Sequence, residues 1–234
     1  KTGKDHDQIE QYMHLLMNQA KTNESALHTF MDEILTTSFL KNLQVACLEI
    51  YPRILKAELP LRPALFLDFD PEYQHQAVPM RVSAAQFETF KDLYKDIVEI
   101  ISRQFVLVAG LNNLLKRGDH NAFMPEIGKT KSGKDNTPGT LHAFADLPFG
   151  RKEDFIDDNW FSFDEEAVDR QLRNAIAHYK TEYDEVTQVI TYYPRNEGMR
   201  QEKSDEIYFL DFMRRTLLAY REMNRLHQLI KALF

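Results

Sequence analysis

The chain has very little cysteine. Among its 234 residues only Cys47 is a cysteine, so neither a disulfide framework nor a cysteine-rich metal site can form within one chain. Cys47 lies inside an apolar helical pattern and is expected to be a buried core thiol.

Long apolar runs are also missing. The longest nearly uncharged apolar run, Phe105 to Leu115, is far too short to cross a bilayer, and no basic-then-apolar signal segment opens the chain. We therefore expect a cytoplasmic protein that does not associate with membranes. The first residue is Lys rather than Met, as expected of a piece of a longer protein.

Positive charge is scarce relative to negative charge. The net charge is −7, from 29 basic and 36 acidic residues, which argues against a protein that coats nucleic acid through a broad basic surface. Any RNA contact must be local. Basic residues do concentrate in two places, residues 116–134 and residues 208–234. A hydrophobic content of 43% is ample for a buried core.

Apolar residues recur at helical spacing over most of the chain. In the N-terminal part this spacing predicts helices at about residues 5–21 and 25–51, with Asn23 or Ser25 capping the second and Pro52 ending it. Residues 52–82 contain five prolines, which predict an extended connector. The sequence thus predicts an N-terminal helical region with a Pro-rich connector, 1–82, and a helical domain, 83–234.

The second predicted domain begins with a long helix. Ser83 and Gln86 form a capping box, and apolar spacing continues to just before Gly118, with Gly110 as a point where the helix could bend. Residues 118–162, rich in Gly, Pro, Asp and Lys, read as a long loop.

The C-terminal part alternates between helical and strand-like patterns. A helix is predicted at about 164–184, a strand at 186–193 pairing in a hairpin with 205–208, and a final amphipathic helix over 209–234. The fold class expected from the patterns is mainly α-helical.

The strongest chemical signal is Arg173-Asn174 followed three residues later by His178. On a helix Asn174 and His178 share a face four residues apart, and Arg173 is long enough to reach the same point. Histidine can exchange a proton with a ribose 2′-hydroxyl or a leaving oxygen, and arginine can hold a phosphate as negative charge builds. Asn174 can orient either partner, and this chemistry needs neither metal nor cofactor.

These residues resemble the ribonuclease signature of the HEPN domains: Arg, a polar residue that is often Asn, three variable residues and His. The resemblance covers about residues 83–234, including the strand-like VTQVITYYP segment and the terminal helix. It implies an all-α, up-and-down helical bundle with a small β-hairpin before the last helix. It also implies a homodimer whose motif helices form one composite site.

The function that the resemblance implies is cleavage of single-stranded RNA or tRNA without metal, leaving a cyclic phosphate. Arg173, Asn174 and His178 would be the catalytic residues. Such proteins often act as toxins or in anti-phage defence, where a regulatory or antitoxin partner is expected. The rival hypothesis is a non-catalytic helical module that uses the same cluster to dimerise or to bind a partner.

Several plainer interpretations stand beside these. Arg173 could form a surface salt bridge with Asp169 or Glu166, leaving His178 an ordinary histidine. The segment from Gly128 to Asp135 resembles a phosphate-binding P-loop. However, position 135 is Asp, where a P-loop has a Ser or Thr whose hydroxyl binds magnesium. A mobile basic loop is therefore favoured.

Two further clusters have structural and functional interpretations. Asp68, Asp70 and Glu72 could suggest a cation site, but a solvated connector is favoured. An aromatic cluster could stack bases, although packing of the long loop onto the bundle is favoured; its members are Phe144, Phe149, Phe155, Trp160, Phe161 and Phe163.

Overall fold

The protein is mostly helical, with one small antiparallel sheet near its C-terminus. A computed structural model describes residues 2–70, 73, 80–82, 87–128, 135–157, 160–194 and 203–234. The elements in chain order are α1 (Thr2–Thr36), α2 (Phe39–Phe66), α3 (Phe87–Arg117), α4 (Pro125–Gly128), α5 (Leu141–Ala145), α6 (Phe149–Lys152), α7 (Arg170–Ala177), β1 (Thr181–Asp184), β2 (Val189–Tyr192), β3 (Asp205–Tyr208) and α8 (Phe209–Ala232).

The chain divides into two compact units, each discontinuous in sequence. The first comprises Lys1–Leu48, Ile100–Phe163 and Met223–Phe234, and the second comprises Glu49–Glu99 and Asp164–Glu222. Helices α2, α3 and α8 each supply residues to both units. The sequence-based division at residue 82 remains a prediction.

The break between the first two predicted helices is present at Asn23, where α1 kinks. This residue leaves the helical region, with φ −153° and ψ 74°, and its Oδ1 accepts a hydrogen bond of 3.2 Å from the backbone of Ala26. Asn23 therefore caps the helical segment that follows, as predicted. That segment ends near Ser38, whose φ of 56° starts a turn before α2.

Pro52 does not end a helix, and the prediction of an extended connector is wrong over residues 52–66. Helix α2 continues through Pro52, Pro60 and Pro63 to Phe66. Its inner face buries Ala57, Leu61 and Ala64. Burial at helical spacing stabilises a helix more than local propensity does, so it offsets the backbone hydrogen bonds that the prolines remove.

Helix α3 extends to Arg117, as predicted, whereas the proposed capping box at Ser83 and Gln86 lies outside the described residues. Gly110 does not interrupt the helix. A Cβ atom at this position would lie 2.5 Å from Cε2 of the fully buried Phe30. Glycine is therefore required here because α3 and the Phe30 ring approach so closely.

Helix α3 also meets a length and composition test for membrane crossing. It is the one such helix in the described part of the chain, with a mean hydropathy of 1.2, but 89% of that apolar window is buried inside the protein. A buried core helix passes the same test, so the finding is weak support for a membrane span.

Among its described residues, the predicted long loop at 118–162 contains three short α-helices, α4 to α6, and a 3₁₀ helix at Glu153–Phe155. The aromatic residues packed around them are mostly buried, namely Phe144, Phe149, Phe155 and Phe161. This burial confirms that the cluster packs the segment into its unit. Arg117 adds a polar anchor, since its Nη1 donates to Asp157 Oδ2 at 2.8 Å.

The small sheet has the order β1-β2-β3, with both pairs antiparallel. Ile190 at its centre is fully buried and pairs with Tyr183 on one side and Ile207 on the other. The predicted hairpin between the strand-like segment and residues 205–208 is confirmed. Strand β1 is a correction, because the sequence pattern placed residues 181–184 in a helix.

Candidate functional site

Helix α7 carries Arg173 and Asn174, and His178 follows it directly; Asp169 anchors the start of the helix. The Asp169 Oδ1 atom accepts hydrogen bonds from the backbones of Gln171 at 2.8 Å and Leu172 at 3.0 Å, which is a helix N-cap. The helix buries Leu172, Ala175 and Ile176. Its apolar face is therefore fixed, and the opposite face is left toward solvent.

Two tyrosines hold the start of α7 through Asp169. The hydroxyl of the fully buried Tyr94 accepts a hydrogen bond of 3.1 Å from the Asp169 backbone, and the Tyr192 hydroxyl donates to Asp169 Oδ2 at 3.4 Å. Burial, followed by the nearby Asp169 charge, raises the pKa of Tyr192 to about 12. Both tyrosines thus remain neutral hydrogen-bonding groups. Sequence reasoning missed them, because they come from α3 and β2.

The end of α7 differs from the prediction, since the helix stops at Ala177 instead of continuing to residue 184. Tyr179 adopts a φ of 56°, Lys180 N donates to Ala175 O at 2.8 Å, and Tyr179 N donates to Ile176 O at 3.2 Å. These two bonds form a Schellman motif, which usually has glycine where Tyr179 lies. The absence of glycine explains why the helix end was not recognised.

His178 is the C-cap of α7, and its imidazole is exposed. Its backbone N–H donates to Asn174 O at 3.0 Å, so His178 lies one helical turn beyond Asn174. The Asn174 side chain is also exposed, and Tyr179, which follows His178, is 90% exposed. The structure thus presents Asn174 and His178 to solvent at the same end of α7.

Arg173 is less exposed than Asn174 and His178, and two groups hold its side chain. Its Nη1 donates to Asn174 Oδ1 at 3.3 Å, and its Nη2 lies 3.0 Å from Oε2 of Glu99. The first contact joins two of the three predicted site residues. The second brings a carboxylate to the group expected to bind phosphate.

Glu99 is a third residue near α7 that sequence reasoning missed, after Tyr94 and Tyr192. It lies on α3, 74 residues before Arg173, and an isolated carboxylate on an amphipathic helix gives no signal of this contact. The predicted alternative, a salt bridge from Arg173 to Asp169 or Glu166, is wrong in its partner. Asp169 caps α7, and Glu166 Oε2 lies 3.5 Å from Nη2 of Arg214 on α8.

Arg214 shows that the basic terminal helix lies beside the acidic residues that precede α7. A second α8 arginine, Arg215, acts electrostatically on both Tyr94 and Tyr192. The negative charge around the start of α7 is therefore partly offset by α8, which the charge pattern along the sequence could not show.

No family model, curated protein or solved structure matches this chain. Any functional assignment must therefore be based on the local geometry of Arg173, Asn174 and His178.

The described residues do not support the other two sites suggested by the sequence, the cation site at residues 68–72 and the P-loop-like segment. Within the described ranges, no group of three or more His, Cys, Asp or Glu side chains could hold a metal ion. Asp68, from the suggested cation site, forms an ion pair with Arg221, and Glu72 lies outside the described residues. Most of the P-loop-like segment, 129–134, also lies outside them, while Asp135 Oδ1 accepts a hydrogen bond from Thr137 N at 2.8 Å.

Proposed function

We propose that this protein is a metal-independent endoribonuclease of the HEPN type that cleaves single-stranded RNA or tRNA. The observation that supports this most directly is the joint placement of Arg173, Asn174 and His178 at the solvent-facing end of α7. Arg173 is positioned by hydrogen bonds, whereas the imidazole of His178 is open to a substrate.

The proposed reaction is an internal transfer at phosphorus. The ribose 2′-oxygen attacks the adjacent phosphorus, its proton passes to a base, and the bond from phosphorus to the 5′-oxygen breaks. The leaving 5′-oxygen takes a proton from an acid, and a 2′,3′-cyclic phosphate remains. His178 acts as the general acid or base, and Arg173 stabilises the charge on the phosphate.

Asn174 has a positioning role in this scheme. Its Oδ1 accepts a hydrogen bond from Arg173 Nη1, which orients the guanidinium. Its amide N–H₂ group remains to donate to a phosphate oxygen. A single side chain can thus link the cation to the bound RNA.

Arg173 must exchange one anion for another when RNA binds. In the free chain Glu99 occupies its Nη2, but this pair is partly exposed, with 28% of the Arg173 side chain and 56% of the Glu99 side chain accessible. Exposed ion pairs contribute at most about 1 kcal/mol. A phosphate can therefore replace Glu99 at small cost.

The proposal includes a homodimer in which two α7 helices face each other across one composite site. The exposed side chains of Asn174, His178 and Tyr179 leave this end of α7 available for such a contact. It would bring two histidines to one phosphate, one as acid and one as base. Anti-phage defence or a toxin–antitoxin pair, with a regulatory or antitoxin partner, is the proposed setting.

The Arg173–Glu99 pair favours a second candidate function. A guanidinium already neutralised by a carboxylate suits a structural role, in which the cluster fixes a non-catalytic dimerisation or partner-binding surface. This candidate predicts that Asn174→Ala weakens dimerisation and that the native chain cleaves no RNA.

The two candidates separate in a nuclease assay with total RNA in excess EDTA. Native chain is compared with His178→Ala, and with His14→Ala as a matched substitution of an exposed histidine elsewhere. The nuclease proposal expects cleavage by the native chain and by His14→Ala, with a loss of at least about 100-fold in His178→Ala. Circular dichroism checks that all three fold equally.

Equal cleavage by native chain and His178→Ala would reject the proposed site. Absence of cleavage by every form, together with dimer loss in Asn174→Ala, would favour the interaction module.

A further inference from the structure

Helix α2 is apolar on two opposite faces, which is unusual for a helix at the surface of a domain. Its inner face buries Ala57, Leu61 and Ala64 in the second unit. Its outer face consists of Pro52, Leu55, Leu59, Arg62 and Phe66, all in that same unit.

The outer face is strongly exposed. Leu55 is 74% exposed, Leu59 66% and Phe66 68%, and Phe69, in the turn after the helix, is 85% exposed. Large apolar side chains that cluster in this way mark interaction surfaces. Isolated exposed leucines would need no explanation, but these follow one another along a single helix.

The spacing of the outer face is that of a coiled-coil seam. From Pro52 to Phe66 the steps are three, four, three and four residues, and a further step of three leads to Phe69. Alternation of three and four residues is the pattern by which one helix packs lengthwise against another helix with the same spacing. A second copy of α2 satisfies this condition automatically.

Charge on the outer face selects the orientation of that second copy. Arg62 is the one charged member of the seam, and its Nε donates to Glu58 Oε1 at 3.0 Å on the same helix. A parallel pairing in register would place two Arg62 side chains opposite each other. An antiparallel pairing places each Arg62 opposite a leucine instead and avoids this repulsion.

We propose that two copies of this chain pair through the outer faces of their α2 helices in antiparallel orientation. The two-fold axis passes between residues 60 and 61, so that Leu55 faces Phe66 of the second copy and Leu59 faces its Arg62. Glu58 of the second copy then lies about 1.5 Å along the axis from Arg62, on the same edge of the seam. Each Arg62 thereby gains a carboxylate from the opposite chain.

This pairing does not depend on the proposed nuclease activity or on the end of α7. Two separate two-fold contacts in one chain give an assembly larger than a dimer, whereas one contact gives a dimer. Loss of the α2 contact therefore lowers the mass of the assembly in either case, to that of a monomer if α2 is the one contact and to that of a dimer if the end of α7 also pairs.

The first test measures assembly mass by sedimentation velocity. Leu55→Glu/Leu59→Glu should weaken association at least about 30-fold and lower the mass at micromolar concentration to that of a monomer, or of a dimer if the end of α7 also pairs. Met17→Glu/Leu35→Glu, which places the same charges on exposed residues of α1, should keep the native mass. A monomeric native chain, or an unchanged mass in Leu55→Glu/Leu59→Glu, would overturn the proposal.

The second test fixes the orientation by disulfide cross-linking in a Cys47→Ala background. Leu55→Cys chains mixed with Phe66→Cys chains should form one mixed disulfide-linked dimer on oxidation, and neither chain should cross-link efficiently by itself. In the antiparallel register, residue 55 of one chain lies about 16 Å along the helix axis from residue 55 of the other, and the same holds for residue 66, which is too far for a disulfide. Cross-linking of Leu55→Cys with itself, or no cross-linking in the mixture, would overturn the antiparallel pairing.

Discussion

The guanidinium of Arg173 lies 3.0 Å from the carboxylate of Glu99, which joins α7 to α3 across 74 residues of sequence. This pair holds Arg173 in place and also occupies the nitrogen that would bind phosphate. The same contact therefore positions the Arg173 side chain and would compete with a phosphate for it.

Removal of the Glu99 charge should strengthen RNA binding. In Glu99→Gln the competing carboxylate is gone, and because an exposed pair contributes about 0.2–1 kcal/mol, the dissociation constant for single-stranded RNA should fall by up to about fivefold. Fluorescence anisotropy in EDTA, with every variant carried on a His178→Ala background to prevent cleavage, provides the measurement.

Glu88→Gln is the matched control for this prediction. It removes one negative charge from the same helix, where Glu88 pairs with Lys91 instead of Arg173. A rise in affinity equal to that of Glu99→Gln would show a general charge effect. Unchanged or weaker binding by Glu99→Gln would argue against phosphate binding by Arg173.

Gly110→Ala should destabilise the first unit. Alanine favours a helix over glycine by about 1 kcal/mol, but its Cβ would lie 2.5 Å from Cε2 of Phe30, and overpacking of a core costs about 1–3 kcal/mol or more. Urea denaturation should show a lower free energy of unfolding. Gly139→Ala, where a Cβ meets nothing within 4 Å, serves as control.

A double-mutant cycle sharpens this test. Phe30→Leu removes the ring atoms that a Cβ at position 110 would meet, so it should recover part of the loss caused by Gly110→Ala. Strictly additive effects of the two substitutions would contradict the proposed steric cause.

The Arg117–Asp157 pair should stabilise the segment that follows α3. Hydrogen bonds from Arg117 lower the pKa of Asp157 from 3.8 to about 2. A lowered folded-state pKa gives stability that is present above pH 3.8 and is lost as the pH falls toward 2. At neutral pH, Asp157→Asn should therefore lower the free energy of unfolding by about 1–3 kcal/mol.

Asp154→Asn is the comparison for that measurement. Asp154 pairs with Arg151 at 3.5 Å, and both side chains are more than 40% exposed, 43% for Arg151 and 48% for Asp154. Its loss should cost less than about 1 kcal/mol. Equal effects of the two substitutions would show that the Asp157 pair has no special role.

Buried His227 also predicts a loss of stability in acid. Here the cause is the gain of a buried positive charge, whereas Asp157 loses its negative charge. Burial, aided by the charge of Lys231, lowers the pKa of His227 from 6.5 to about 4. The unfolded chain then binds more protons between these values, so stability is full above pH 6.5 and falls as the pH decreases toward 4. The loss from this group is on the order of 3 kcal/mol.

Urea denaturation between pH 6.5 and 4 measures this effect. His227→Gln should show a shallower decrease than the native chain, whereas substitution of the exposed His142 by Gln should keep the native slope. Identical slopes in all three proteins would contradict the assignment to His227.

Strong helical periodicity predicted α3 and α8 closely, because their apolar stripes are long and lack competing signals. The same reasoning failed at α2, where burial of Leu61 and Ala64 maintains a helix through three prolines. It also failed at the end of α7, where Tyr179 occupies a position usually held by glycine. Local signals cannot report burial or a left-handed residue that the surroundings maintain.

The candidate site was predictable only where it is local in sequence. Arg173, Asn174 and His178 lie within one turn and a half of helix, and their spacing is visible in the chain. Glu99, Tyr94 and Tyr192 come from α3 and β2 and meet α7 only in the fold. A carboxylate that pairs with Arg173 from a distant helix has no sequence pattern of its own.

The most direct test of the central claim is the chemical nature of the ends that the chain produces from a defined single-stranded RNA in excess EDTA, read by mass spectrometry. The proposed mechanism predicts 2′,3′-cyclic phosphate on the upstream fragment and a free 5′-hydroxyl on the downstream fragment, with both absent for His178→Ala. Cleavage that leaves a 5′-phosphate, or cyclic-phosphate products from His178→Ala at the native rate, would contradict it.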